Sequence, residues 1–294
     1  MLERIVTGFV DTPGGHDALA LAAGLADLAR GSELTVARVC GYEPAPDGLP
    51  PGAAHRELLA AAELELAAAR VRWGARPGTS FTACLGVSPA EGLHRLAEEL
   101  DASALVVGVS ARAARVRVGS ATEQTLHGSP CAVGVAPPGL ATAGWRPRTV
   151  AVACHGSDDA VRAVGLGAEL AQAAGARLVL AGVAEQPVWW GGYPDLAEVR
   201  DVRELTARGL RAVRDRVPGA EAAELRVLDG DPASALTVLG DEVELLVLGS
   251  RGHGPVRRVL LGSVSSRLVR RPRCPLLVVP RGARTGAHPA RADG

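Results

Sequence analysis

The segment Gly249-Ser250-Arg251-Gly252-His253-Gly254 follows a short apolar run at 244–248, and nine residues separate Gly252 from Gly262-Ser263. These are the residue types of an anion cradle. Glycines let the main chain approach a ligand closely and turn with positive φ. Val264-Ser265-Ser266-Arg267-Leu268 reads as a helix opening at Gly262-Ser263. A helix N-terminus offers unpaired N–H donors and the positive end of the dipole, and Ser263 and Ser265 add hydroxyls. At the carboxyl end of a parallel strand such a loop suits a phosphate. Glycine at a strand end is also ordinary turn chemistry, and the chain has 36 glycines, so spacing alone leaves both readings open.

Other chemistries are excluded by what is missing. All 32 basic residues are arginines, which rules out a P-loop lysine and Schiff-base catalysis. Gly249, Gly252 and Gly254 run in the wrong order for G-x-G-x-x-G, and no G-x-S-x-G, H-E-x-x-H or EF-hand pattern occurs. The seven histidines are not spaced with cysteines or acids as metal ligands. Formal net charge is zero, so nothing global favours nucleic acid or a membrane surface. The five cysteines form no C-x-x-C pair and suit reduced thiols in a cytoplasmic protein. No signal-peptide-like start or long apolar span is evident, and no membrane association is expected.

The elements that must position the loop recur at an offset of about 144 residues. Ile5–Phe9 parallels Val150–Cys154, Leu34–Val39 parallels Leu178–Val183, and Phe81–Gly86 parallels Leu225–Gly230. Leu105–Gly108 parallels Leu246–Gly249, and Cys131–Pro137 parallels Cys274–Pro280. Between these apolar runs lie helix-like stretches at 16–30, 55–73, 89–100 and 120–127, then at 159–174, 195–217, 232–241 and 263–270. Gly31 and Gly175 sit where helix C-caps require positive φ, and Pro89 and Pro232 suit a first helical turn. Aromatics are only 3% of the chain, so Val, Leu, Ile and Ala must build the cores, as in parallel sheets covered by helices. The expected fold is α/β: two tandem doubly wound, Rossmann-like domains, each a five-stranded parallel sheet flanked by helices. Their expected limits are 1–138 and 149–281, with a linker at 139–148 and a disordered tail at 282–294.

The pattern resembles the universal stress protein family. The resemblance rests on G-x2-G-x9-G-S at Gly249, Gly252, Gly262 and Ser263, and on the closing strand Cys274–Pro280. The Gly230-Asp231-Pro232-Ala233 turn and the opening stretch Val150–Ser157 also fit. It implies an adenine nucleotide, ATP with or without Mg2+, on the second-half loop. It also implies pairing through the last strand, here between the two halves, with a further homodimer left open. The implied nucleotide-binding residues are Gly249, Gly252, His253, Gly262, Ser263, Val264, Ser265, His155 and Val183. Nucleotide-binding members carry an aspartate after the first strand that contacts the ribose. This chain has His155 and Val10 there. The histidine either hydrogen-bonds a ribose hydroxyl or is a turn histidine without a ligand. In the first half Ala111 replaces the second loop glycine, and only seven residues separate it from Gly119-Ser120. That loop is expected to be degenerate.

Arg251, Arg257 and Arg258 lie in or near the intact loop, where they either pair with phosphates or face solvent. Trp189-Trp190-Gly191-Gly192-Tyr193 forms an adenine lid, a stack at a domain interface, or a cover over exposed core. Arg267, Arg270, Arg271 and Arg273 are expected to complement a helix C-terminus. The function expected is a stress-response regulator that binds an adenine nucleotide in its second domain. A nucleotide-independent interaction module is the alternative, and slow ATP hydrolysis lacks an identifiable base. No catalytic or metal site is expected.

Overall fold

A computed structural model describes residues 1–41, 53–74, 76–109, 121–155, 158–185, 196–249 and 262–280. The first half runs β1 (Arg4–Gly8), α1 (Pro13–Leu28), β2 (Glu33–Gly41), α2 (Ala53–Trp73), β3 (Thr79–Gly86), α3 (Pro89–Glu99), β4 (Ala104–Gly108), α4 (Ala121–Leu126) and β5 (Ala132–Ala136). A short helix α5 (Leu140–Ala143) leads into the second half. That half runs β6 (Thr149–Ala153), α6 (Asp158–Ala174), β7 (Arg177–Ala184), α7 (Leu196–Arg214), β8 (Glu224–Asp229), α8 (Pro232–Gly240), β9 (Leu245–Gly249), α9 (Ser263–Arg270) and β10 (Leu276–Val279).

The strands form a single ten-stranded sheet in the order β3-β2-β1-β4-β5-β10-β9-β6-β7-β8. Each half contributes five parallel strands, and the halves join where β5 meets β10 antiparallel, Val133 opposite Val278 and Val135 opposite Leu276. The seam strands are buried along their length, as runs such as Ala132–Ala136 and Leu276–Val279 require, while the edge strands β3 and β8 are only half covered. Helices cover both faces. One core packs Leu19, Leu25, Leu66, Leu170 and Leu210 from α1, α2, α6 and α7 against the sheet, and the other packs Leu93, Leu126, Leu236 and Leu268 from α3, α4, α8 and α9. The expected doubly wound architecture is present in both halves.

Local sequence sets the helix limits. Thr12, Ser88 and Asp231 cap α1, α3 and α8 by accepting from Gly15, Glu91 and Ser234, and each is followed by a proline at the first helical position. Gly31 and Gly175 take φ of +87° and +64° beyond the ends of α1 and α6, as a chain reversing out of a helix needs.

The segment between the halves is no loose tether. Buried Asp17 on α1 accepts the main-chain N–H of Gly139 at 3.0 Å and of Ala141 at 2.8 Å. Trp145 donates its indole N–H to the Glu244 carbonyl at 2.7 Å, and the Glu244 carboxylate accepts from the main chain of Arg148 and Thr149. Gly- and Pro-rich composition suggested slack here; long-range polar contacts and one aromatic ring tie it down. Residues 282–294, expected as a tail, lie outside the described residues.

Candidate functional site

In each half the first strand lies between the second and the fourth. The chain leaves β6 in one direction, toward β7, and returns on its other side as β9. At such a reversal the flanking crossovers lie on opposite faces and leave a crevice beyond the strand ends. Glycine at the end of the fourth strand keeps that crevice open. A Cβ on Gly108 would sit 1.9 Å from the Gly14 carbonyl oxygen, so β4 can end against the start of α1 only because no side chain intervenes. Gly249 is the matching residue of β9.

In the second half the crevice is a cavity of about 120 Å3. Its walls include Gly249, Gly262, Val264, Ser265, Val183 and His155, six of the residues the sequence singled out. Ser265 is buried on the first turn of α9, and His155 is exposed at the mouth. Ser263 is exposed as the first residue of α9 and is not among the lining residues. Gly252 and His253 lie outside the described residues, as do Arg251, Arg257, Arg258 and Trp189–Tyr193. Gly262 caps α9 with φ −71° and ψ 163°, a conformation open to any residue.

Sequence reasoning missed Glu185, which lines the same cavity just past β7. Its first-half counterpart by sheet register is Gly41, and that difference between the repeats was the available signal. Among the described residues the ionisable side chains on the cavity are His155, Glu185 and Cys154. Burial pushes the Cys154 thiol up to about 12, so it is a neutral, apolar part of the floor.

The walls are tied to one another by Asp231. Its carboxylate caps α8 through the Ser234 N–H and hydroxyl, and it receives the Arg267 guanidinium of α9 at 2.8 Å and 3.0 Å. The Ser234 bonds, with Arg267 beside them, hold the Asp231 carboxyl below the usual carboxylate range. Pro232 and Leu236 on α8 are thereby fixed opposite Val264 and Ser265 on α9. The other arginines near the end of α9 also have carboxylate partners: Arg270 pairs with Glu123 and Arg273 approaches Asp241 at 3.9 Å. Arg267 and Arg270 lie in the last turn of α9, where they also complement the helix dipole.

The first half has a matching cavity of about 280 Å3, lined by Val10, Val39, Leu93, Gly108 and Thr122 at the positions of His155, Val183, Leu236, Gly249 and Ser265. Its loop residues Ala111, Gly119 and Ser120 lie outside the described residues.

Two doubly wound halves of one sheet, each with a crevice at its strand reversal, are the architecture of a class of α/β proteins whose ligands sit at such crevices. The profile described as "Universal stress protein family" matches residues 1–137 and again 147–280, and the chain belongs to that family. A universal stress protein of Thermus aquaticus is 34% identical over 134 residues, covering 45% of this chain and 98% of that one. One from Mycobacterium tuberculosis is 33% identical over 211 residues, covering 66% of this chain and 69% of its own. The crystal structure of a universal stress protein from Archaeoglobus fulgidus superimposes with a TM-score of 0.65 at 21% identity, covering 95% of this chain and 96% of that one, which shows the shared fold. Among the described residues no helix is long and apolar enough to cross a membrane.

Proposed function

We propose that this chain is a cytoplasmic stress-response regulator that binds one adenine nucleotide, ATP with or without Mg2+, in its second-half crevice. The observation that carries the reading is the convergence of Gly249, Gly262, Ser265, Val183 and His155 on one cavity beyond the ends of β6, β7 and β9. Apolar walls from Val183, Leu236 and Val264 suit a flat base. The start of α9 and the glycine loop before it supply N–H donors for phosphate. His155 stands after β6 where an aspartate would contact the ribose, and Glu185 and His155 are the side chains that accept ribose hydroxyls in its place. Five unpaired cysteines suit a reducing compartment. The first half then serves as the paired scaffold that completes the sheet.

The test is a calorimetric titration with ATP and Mg2+. One site per chain is expected, weakened at least about tenfold by Gly252→Val, whose new side chain intrudes on the loop. Absence of heat at millimolar nucleotide would overturn the reading and leave the nucleotide-independent interaction module.

A further inference from the structure

The helix beside the β3 edge, α2, is apolar on two opposite sides. Ala62, Leu66 and Ala69 are buried and turn inward over β2 and β3. On the other side Ala60, Ala61, Leu64, Ala67, Ala68 and Val71 are exposed, Leu64 by 76% and Val71 by 91%. Seven residues make two turns, so Leu64 and Val71 stand in line, each preceded by a pair of alanines on the same face. None of these six residues lines either crevice.

The second half shows that the fold does not need an apolar outer face at this place. Its helix α7 covers β7 and β8 as α2 covers β2 and β3. At the repeat offset, Leu210 and Val213 are buried where the first half buries Leu66 and Ala69. The outward positions differ. Glu204, Arg208, Arg211 and Asp215, all exposed, stand where the first half has Ala60, Leu64, Ala67 and Val71. A helix that only meets water here is charged, so the apolar face of its counterpart marks a surface that meets protein.

That face is complementary to itself. A second α2 laid antiparallel, with the two-fold axis at the level of residue 66, sets Leu64 on Ala67 and Ala68 of the copy and Val71 on its Ala60 and Ala61. Large meets small at every level, and alanine lets the helix axes approach closely. The charges agree with the same arrangement. Glu63 and Arg70 are exposed on one flank of the stripe, two turns apart. Both are steadied by β3: Glu63 accepts the Ala83 N–H at 3.2 Å, and the Arg70 guanidinium lies 5.2 Å from the centre of the Phe81 ring. Antiparallel pairing brings Glu63 of each chain beside Arg70 of the other, twice per dimer.

We propose that the outer face of α2 is the interface of a two-fold homodimer, packed antiparallel on α2 of a second copy. With 21 residues α2 is about 30 Å long. One helix pair buries less than the roughly 800 Å2 per partner of a stable interface, so the dimer forms reversibly, with Kd above about 1 µM. The proposal is independent of what either crevice binds.

Sedimentation equilibrium of the full-length chain should show the mass rising from one chain toward two as concentration is raised to about 1 mM. Leu64→Arg/Val71→Asp copies Arg208 and Asp215 of α7, residues the same place in the fold already carries, and should weaken association at least about tenfold. Unchanged circular dichroism would establish that the variant folds. Glu63→Arg and Arg70→Glu should each weaken self-association about fivefold. Their equimolar mixture should dimerise at least as well as wild type, because only the mixed dimer sets Arg against Glu at both flanks. The proposal is overturned if the mass stays that of one chain up to about 1 mM, which would leave the face to a different protein. It is also overturned if the dimer persists undiminished in Leu64→Arg/Val71→Asp, or if the mixture associates no better than its components.

Discussion

Glu123 and Arg270 form an ion pair across the seam between the halves, with Arg270 Nε 2.6 Å from Glu123 Oε1. Glu123 lies in the first turn of α4, beside Thr122 of the first crevice. Arg270 ends α9, which opens at the second crevice. The two helices pack against each other, so the antiparallel β5–β10 pair has a side-chain counterpart directly over it. The duplicated chain uses unlike residues at this contact, which fixes one half against the other without a second copy.

This pair should be worth little in isolation, because Arg270 remains more than half exposed. A double-mutant cycle of Glu123→Ala and Arg270→Ala, read by chemical denaturation, should give a coupling of at most about 1 kcal/mol that shrinks with added salt. A coupling of several kcal/mol, or one insensitive to salt, would contradict the surface assignment.

Asp17 should matter more than Glu123. Replacing it by alanine leaves the Gly139 and Ala141 N–H groups without their acceptor in a partly buried setting. Leaving such donors unmet should lower stability by about 2 kcal/mol. Trypsin cutting at Arg148 should accelerate in Asp17→Ala, since the segment then loses its anchor at the α1 end. Wild-type cleavage rates in that variant would show that the segment is held by Trp145 and Glu244 alone.

The thiols set the alkaline behaviour. Burial raises Cys131, Cys154 and Cys274 from 9.0 to about 12, so the folded chain keeps protons that the unfolded chain releases. Their contribution is therefore fully present below pH 9 and declines as pH rises from 9 toward 12. With no lysine in the sequence and two tyrosines, few other groups titrate there. Urea midpoints should fall between pH 8.5 and about 10.5, and the Cys131→Ala/Cys154→Ala/Cys274→Ala triple variant should flatten that fall. An equally steep fall in the triple variant would assign it elsewhere.

The scaffold was legible because its signals are local and repeated. Apolar runs such as Leu105–Gly108 and Leu246–Gly249 have the length and content of buried parallel strands, and Pro89, Pro232, Gly31 and Gly175 mark helix limits by backbone geometry alone. The crevice residues Gly249, Gly262, Val264 and Ser265 were visible for the same reason. What escaped was set by contacts distant in sequence. Asp17 reaches Gly139 and Ala141, Trp145 reaches Glu244, and Arg270 reaches Glu123, and no periodicity encodes those pairs. Glu185 escaped because a single carboxylate after a strand resembles any surface residue until the sheet brings it to the mouth of the cavity.

The most direct test of where nucleotide binds is methyl NMR of the intact chain titrated with ATP and Mg2+. The expected result is saturable movement of Val183, Leu236 and Val264, with Val39, Leu93 and Val107 unmoved. Movement of the first-half methyls, or of none, would contradict the assignment of the nucleotide to the second-half crevice.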